Sequence, residues 1–210
     1  MFYAKYLKRP IDLILSSLGL ILLSPLFAIL ALWIKLDSIG PVFFKQKRVG
    51  NGKKLFSIYK FRTMRTNAPQ DMPTHMLKDP VAFITKSGRL LRKTSLDELP
   101  QLINIFIGNM SIIGPRPALW NQDDLITERE QYGANDIRPG LTGWAQINGR
   151  DELEIPVKAK LDGEYVQRMN LLFDVHCFLG TIVSIFKSEG VVEGGTGELG
   201  RKAKGGTAGK

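Results

Sequence analysis

The chain has 210 residues, of which 44% are apolar, so it is long enough to bury a core and its composition excludes a wholly disordered protein. Lysine and arginine outnumber aspartate and glutamate by 29 to 20, and the formal charge of +9 favours an anionic partner: nucleic acid, anionic lipid or a phosphorylated substrate. A single cysteine, Cys177, excludes an intrachain disulfide.

The first segment, residues 1–36, contains an almost continuous apolar run at 11–34 that is long enough to reach across a bilayer. Basic residues flank the run on both sides, and cationic flanks prefer the cytoplasmic side of a membrane. Ser24-Pro25 interrupts the run, and a proline deletes a backbone hydrogen bond and bends a helix. The pattern therefore favours, by a small margin, a helix that enters the membrane and returns over a straight span.

Two β-prone runs at 41–49 and 54–64 are joined around Asn51-Gly52, which predicts a β-hairpin. Basic and aromatic residues are interleaved along both runs. Such a surface could contact anionic headgroups or phosphates, or it could be an ordinary solvated face. Binding of single-stranded nucleic acid is the weakest of the three interpretations, because the runs directly follow a membrane segment.

Two adjacent acids, Asp97 and Glu98, precede a short helix predicted at 100–107 and closed by Gly108. Taken alone, they have a structural interpretation: Ser95 and Glu98 have the spacing of a capping box, and acids stabilise a helix N-terminus. Their surroundings in the sequence suggest a second interpretation.

Arginines beside turn residues accompany the two acids. In the sequence GPRP at 114–117, Arg116 stands between two prolines whose φ is fixed, and a rigidly held guanidinium binds phosphate oxygens well. RPG at 138–140 and NGR at 148–150 repeat the pattern. Two acids with several arginines suit phosphoryl transfer, in which cations hold phosphates while one acid attacks phosphorus and the other moves a proton. Closely spaced carboxylates also attract Mg²⁺.

The last apolar stretch, at 171–186, has helical spacing with Asn170 as its predicted N-cap, and it suits either a core helix or one in the membrane interface. We interpret His176 and Cys177 within it as packing residues, because no third catalytic partner lies nearby in the sequence. Residues 189–210 are rich in glycine and are predicted to be a flexible tail.

Several of these motifs together resemble the monotopic phosphoglycosyl transferases of bacterial glycoconjugate assembly, in the minimal form without an added multi-span module. The motifs are KRPID at 8–12, SP at 24–25, YKFRTM at 59–64, SLDELPQ at 95–101, GPRP at 114–117 and RPGLTG at 138–143. Each is weak alone, but their order is specific, and the similarity extends over residues 5–188.

The resemblance implies a membrane anchor and a two-step reaction. We expect an α/β fold: a small compact catalytic domain at 37–188 with short helices and a small β-hairpin or sheet, anchored by a re-entrant helix at 1–36. It would lie at the cytoplasmic face of the bacterial inner membrane. Asp97 would attack the β-phosphorus of a UDP-sugar and release UMP, and polyprenyl phosphate would then attack the covalent intermediate.

The resemblance also assigns roles to individual residues. Glu98 would assist proton removal from the incoming phosphate or stabilise the geometry, and Mg²⁺ would bridge Asp97 and the diphosphate. The positions associated with phosphate or uridine contact and site organisation are Lys60, Arg92, Arg116, Arg150 and Asp162. No nucleic acid is expected as a partner, and a homodimer is compatible with the sequence. The alternatives are a non-catalytic basic protein that binds membranes or nucleic acid, and a nucleotide-sugar hydrolase.

Overall fold

The apolar N-terminal run forms two helices rather than one. In the computed structural model, which describes residues 2–69, 80–149 and 153–187, a π-helical turn at Tyr3–Leu7 leads into α1 (Lys8–Leu22), and α2 (Ser24–Asp37) follows. The two helices are bent by 60° at the break, with Pro25 in the first turn of α2, where its missing N–H is tolerated. Within the described residues no single helix is long and apolar enough to cross a membrane, but this bent pair is by length and composition.

The predicted hairpin is confirmed. Strands β1 (Phe43–Val49) and β2 (Leu55–Phe61) pair antiparallel, with Phe43 opposite Phe61 and Val49 opposite Leu55. Gly52 lies in the connecting turn with φ 61°, a left-handed conformation that glycine adopts readily. The Asn-Gly signal in the sequence therefore predicted the correct connection.

The rest of the described chain is made of short helices and a second, two-stranded sheet. The helices are α3 (Pro80–Phe83), α4 (Lys86–Lys93), α5 (Gln101–Phe106), α6 (Asp123–Glu130), α7 (Trp144–Ile147), α8 (Ile155–Arg168) and α9 (Leu171–Lys187). Strands β3 (Ser111–Ile113) and β4 (Gly140–Thr142) pair in parallel. The expected mixture of short helices and small sheets is confirmed.

The N-terminal helices share a core with the elements that follow them. Leu30 and Ile34 of α2 are buried against Phe61 of β2 and Leu91 of α4. Asp12, the one acidic residue of the apolar run, is 4% exposed, and its carboxylate accepts a hydrogen bond from the backbone N–H of Ile112 at 2.9 Å. That bond satisfies the carboxylate inside the protein rather than in lipid and ties α1 to β3.

Helix α9 has one buried and one exposed apolar face. Phe173 and Cys177 are buried on one face, while Leu172 is 80% and Leu179 is 55% exposed. The Asn170 side chain accepts a hydrogen bond from the backbone N–H of Phe173 at 2.9 Å, which confirms the predicted cap.

Packing also accounts for the histidine and cysteine of this helix. The ring of His176 lies against Trp144 and Phe173, and the thiol of Cys177 is fully buried, which confirms their interpretation as packing residues. The glycine-rich region at 189–210 lies outside the described residues.

Candidate active site

A cavity of about 700 Å³ lies between the hairpin, the turn that carries the two acids, and helices α7 and α8. Among the charged residues of its lining, basic side chains outnumber acids; they are Arg48, Lys60, Arg62, Arg65, Arg92, Arg116, Arg129 and Lys158. The acids at its wall are Asp97, Glu98 and Asp162. A concave site with this excess of positive charge suits an anionic ligand such as a diphosphate.

The turn before the two acids has an unusual backbone. Ser95 has φ 56° and ψ 16°, a left-handed conformation, and Leu96–Glu98 then form a single 3₁₀ turn. A non-glycine residue held in this region is strained, and such strain is common at functional sites.

The capping-box alternative is wrong. The Ser95 side chain makes no capping hydrogen bond, because its left-handed backbone is not the extended conformation of an N-cap. The next helix, α5, starts only at Gln101, with Pro100 before it. The carboxylate of Glu98 does not cap a helix but binds the side chains of Lys60 and Arg116.

Glu98 lies between Lys60 of the hairpin and Arg116 of the rigid turn at 114–117. The Lys60 ammonium donates to Oε1 at 2.7 Å, and the Arg116 guanidinium donates to Oε1 at 2.5 Å and to Oε2 at 3.2 Å. Burial alone would raise the pKa of Glu98, but the charges and hydrogen bonds of Arg116 and Lys60 outweigh burial and hold this pKa well below its usual range. Glu98 therefore holds Lys60 and Arg116 in place at the cavity wall.

Asp97 has the opposite environment. Its side chain is half-buried at the cavity wall, and among the residues that the structure describes its carboxylate accepts no hydrogen bond and forms no ion pair. Burial raises the pKa of Asp97 to about 6, with the charge of Lys60 opposing and that of Glu98 reinforcing the shift. A desolvated carboxylate without a partner is available to react.

The structure brings four of the predicted binding residues to one cavity. Lys60 and Arg116 contact Glu98 directly, and Arg92 donates from Nε to the Thr63 hydroxyl at 2.9 Å. Asp162 lines the same cavity from α8. Arg150 lies outside the described residues, so its predicted contact stays a prediction.

Asp162 acts through a second arginine that the sequence did not single out. It is 1% exposed and accepts hydrogen bonds from Nε and Nη2 of Arg129 at 2.8 and 2.6 Å. Burial raises the pKa of Asp162 and the Arg129 charge opposes that shift. Asp162 therefore holds Arg129 at the cavity wall, and its predicted contact with a ligand stays a prediction. No local sequence signal could have found this pair, because 33 residues separate its members.

Arg48 is another residue that the motifs missed. Its guanidinium donates to the carbonyl of Pro117 at 3.0 Å and to the side chain of Gln46 at 2.7 Å. The bond to Pro117 ties the hairpin to the turn that carries Arg116. Arg48 therefore lines the cavity together with Lys60 and supports the turn that carries Arg116.

A metal site made of protein ligands alone is not present in the described part of the chain, which contains no group of three or more His, Cys, Asp or Glu suited to one. Mg²⁺ usually binds proteins through one or two carboxylates together with substrate phosphates. Asp97 fits that mode because its oxygens are uncommitted, whereas those of Glu98 are taken by Lys60 and Arg116.

Comparison with known proteins shows which family the chain is similar to. A model of the bacterial sugar transferase family matches residues 3–188. An uncharacterized sugar transferase of Bacillus subtilis, EpsL, is 42% identical over 185 residues, which cover 88% of this chain and 90% of that protein.

Two further relatives carry more informative names. The UDP-glucose:undecaprenyl-phosphate glucose-1-phosphate transferase of Escherichia coli is 39% identical over 196 residues, covering 87% of this chain but only 40% of that protein. The exopolysaccharide production protein ExoY of Sinorhizobium fredii is 36% identical over 197 residues, covering 87% of each.

Proposed function

The chain belongs to the bacterial sugar transferase family and is a transferase, and from that premise we propose that it moves a sugar phosphate from a UDP-sugar to polyprenyl phosphate. The acceptor is undecaprenyl phosphate, the lipid named for several relatives. The reaction serves the assembly of exopolysaccharide or another glycoconjugate. The observation that carries the mechanism is the difference between two neighbouring acids: Glu98 binds two cations, whereas the carboxylate of Asp97 is uncommitted.

The first step is attack by a carboxylate oxygen of Asp97 on the β-phosphorus of the UDP-sugar. A bond forms between that oxygen and phosphorus, the bond from phosphorus to the bridging oxygen breaks, and UMP leaves with the electron pair. Lys60, Arg92 and Arg116 neutralise the charge on the phosphates. The enzyme then carries a phosphosugar on Asp97.

The second step is attack by a phosphate oxygen of the lipid on the same phosphorus. The bond to Asp97 breaks, the carboxylate is regenerated, and polyprenyl diphosphate sugar forms. Since the pKa of Glu98 is held well below its usual range, Glu98 is a poor proton acceptor. Of the two roles that the resemblance implied for it, we therefore favour the geometric one: Glu98 fixes Lys60 and Arg116.

Mg²⁺ bound to Asp97 and to the diphosphate would neutralise negative charge before attack. In this proposal residues 1–36 are a re-entrant anchor in the inner leaflet at the cytoplasmic face of the bacterial inner membrane. Residues 37–188 form the catalytic domain.

The decisive experiment is mass spectrometry of the purified enzyme incubated with UDP-sugar and Mg²⁺ in the absence of lipid. We expect a phosphosugar adduct on Asp97 and release of UMP. Asp97→Asn should give neither, whereas Asp123→Asn, on the exposed surface of α6, should behave as wild type. Release of UDP would contradict attack at phosphorus, and an adduct on Glu98 would reverse the two assignments.

A panel of UDP-sugars with undecaprenyl phosphate then tests the acceptor and identifies the sugar. A nucleotide-sugar hydrolase would release UMP continuously whether or not the lipid is present. A non-catalytic basic protein would bind anionic surfaces without any dependence on Asp97. The proposed transferase should turn over only with the lipid phosphate.

A further inference from the structure

Gln146 is a buried side chain whose hydrogen-bonding capacity is unused. It lies on α7, is 6% exposed, and lines the same cavity as the two acids. Neither its Nε2 nor its Oε1 has a hydrogen-bond partner among residues 2–69, 80–149 and 153–187. Buried polar groups are nearly always paired, and leaving a whole amide unpaired is unfavourable. Its position in the cavity points to a ligand as the missing partner.

The backbone beside Gln146 places this amide next to the phosphate-binding turn. A Cβ atom on Gly143 would lie 2.2 Å from the carbonyl oxygen of Gly114 and 3.3 Å from Oε1 of Gln146. Only glycine at 143 allows α7 to begin directly against the segment that carries Arg116. The same contact brings the amide of Gln146 to that segment.

Charged side chains also line the cavity that holds Gln146. The buried Arg129–Asp162 pair lines the same cavity, as does Lys158 on α8. The cavity that holds Asp97 and Glu98 thus offers cations as well as the neutral amide of Gln146. An amide presents a hydrogen-bond donor and an acceptor side by side, which a lysine or arginine cannot do.

We propose that Gln146 determines specificity for the donor substrate by pairing with two neighbouring polar groups on it. Nε2 donates to an oxygen of the substrate, and Oε1 accepts from an N–H or O–H beside it. This inference rests on the proposed function. Two parts of a UDP-sugar have the required chemistry: the imide edge of uracil, with a carbonyl next to an N–H, and adjacent hydroxyls of the sugar.

The test replaces the amide with an apolar chain of the same length. Gln146→Met loses no hydrogen bond in the free protein, so its unfolding temperature should equal or exceed that of wild type. Its kcat/KM for the UDP-sugar should fall roughly 10- to 100-fold, mainly through KM, because two substrate hydrogen bonds are lost. Ser111→Ala is the matched control: it removes another buried, unpartnered polar atom, outside the residues that line the cavity, and should leave KM unchanged.

Titration calorimetry of the full-length protein in detergent shows whether Gln146 pairs with the uracil or with the sugar of the UDP-sugar. If Gln146 contacts uracil, Gln146→Met should weaken binding of UDP and of the UDP-sugar by the same factor. If it contacts the sugar, UDP should bind as to wild type and only the UDP-sugar should bind more weakly. Either result supports the proposal.

Two results would overturn the proposal for Gln146. One leaves the proposed function intact, and the other rejects it as well. A wild-type KM for Gln146→Met, with or without a lowered unfolding temperature, would show that the amide has a structural role, and the proposed function would be unaffected. Failure of the wild-type protein to bind either UDP or a UDP-sugar would reject the donor in the proposed function itself, and this inference with it.

Discussion

At the scale of single residues, the local geometry of one turn separates the roles of two adjacent acids. A 3₁₀ turn has three residues per turn, so the side chains of Asp97 and Glu98 leave it about 120° apart. Glu98 points to Lys60 and Arg116, while Asp97 points to the cavity without a partner among the described residues. Glu98 is paired with two cations and Asp97 is not, which supports the proposal that Asp97 is the reactive group.

Glu98→Gln tests this division. The amide has nearly the same shape but no charge, so Lys60 and Arg116 lose their shared counter-ion. We expect turnover to fall roughly 10²-fold or more, as for other losses of electrostatic preorganisation, while the adduct on Asp97 still forms. Rapid-quench measurement of UMP release and mass spectrometry of the adduct check both parts. Glu154→Gln, at an exposed position, is the control. Complete loss of the adduct would show that Glu98 takes part in the attack itself.

The raised pKa of Asp97 gives a second prediction at this scale. Below about pH 6 the carboxyl is increasingly protonated and can neither attack phosphorus nor bind Mg²⁺, whereas Glu98, with its lowered pKa, stays ionised. At limiting Mg²⁺, the rate of adduct formation should fall about tenfold per pH unit below this value. Excess Mg²⁺ should move the fall to lower pH, because the metal competes with the proton. Single-turnover rates at two Mg²⁺ concentrations measure the shift. A pH profile that does not respond to Mg²⁺ would contradict metal binding by Asp97.

At the scale of secondary structure elements, short sequence signals correctly predicted turns and helix ends, because these depend on interactions between residues close in the sequence. Asn51-Gly52 predicted the hairpin, Gly108 the end of α5, and Asn170 the start of α9, because each acts on the backbone within a few residues. The capping box at Ser95 failed for a related reason. Its spacing is correct, but the left-handed backbone at Ser95, which spacing does not encode, turns the side chain away.

Contacts between distant parts of the chain could not be predicted in this way. Lys60 and Glu98 are 38 positions apart, and Arg48 is 69 positions from the Pro117 carbonyl that it binds. The motifs identified Lys60, Arg116 and Glu98 as site residues but not the contact by which Glu98 joins the two cations. They gave no indication of Gln146, because the proposal for it rests on the lack of hydrogen-bond partners within the described part of the folded chain.

The left-handed backbone at Ser95 leads to a prediction about the stability of Ser95 variants. Ser95→Gly should stabilise the protein by about 1 kcal/mol, because glycine adopts positive φ without strain. Ser95→Val should destabilise it by about 1–3 kcal/mol and reduce activity, since a β-branched residue there must distort the turn that carries Asp97. Denaturant unfolding and kcat measure the two effects. A loss of stability in Ser95→Gly would show that the strain does not exist.

The break in the N-terminal helix has a specific chemical cause. Pro25 has no N–H for the carbonyl of Ile21, and the Ser24 hydroxyl donates to that carbonyl at 2.8 Å instead. Both residues thus support the bend, so Ser24→Ala/Pro25→Ala should favour a straight helix. The change is read out by placing cysteines at Lys5 and Ile39, on either side of the pair, in a Cys177→Ala background.

Both cysteines should resist an impermeant thiol reagent in intact cells when the break is present, because a re-entrant pair keeps both flanks in the cytoplasm. In the Ser24→Ala/Pro25→Ala variant one of the two should become reactive. Labelling of either site with Ser24 and Pro25 intact would show a straight span. Permeabilised cells, in which both sites should react, control for buried or blocked thiols.

At the scale of the whole molecule, one buried carboxylate joins the N-terminal and C-terminal helices. Asp174 of α9 accepts hydrogen bonds from the Lys8 ammonium at 2.5 Å and from the hydroxyls of Tyr3 and Tyr165 at 2.6 and 2.7 Å. The starts of α1 and α9 are therefore fixed to each other. Both helices also expose apolar side chains, among them Ile14, Leu22, Leu172 and Leu179. This arrangement favours a second contact with the membrane, made by α9 beside the bent pair.

That contact gives the last prediction. Leu172→Glu and Leu179→Glu place a charge on the exposed face of α9 without disturbing its buried face, so the unfolding temperature should be unchanged. Binding to vesicles that contain undecaprenyl phosphate should weaken, because a charge in the interface opposes burial of the apolar face. Val157→Glu, on the exposed part of α8, is the matched control and should bind vesicles as wild type does.

The two reaction steps should respond differently to the Leu172→Glu and Leu179→Glu substitutions. UMP release in the first turnover needs only the soluble donor and should be preserved, whereas transfer to lipid should slow in proportion to vesicle binding. An equal loss of both steps would place α9 in the structure of the active site rather than at the membrane.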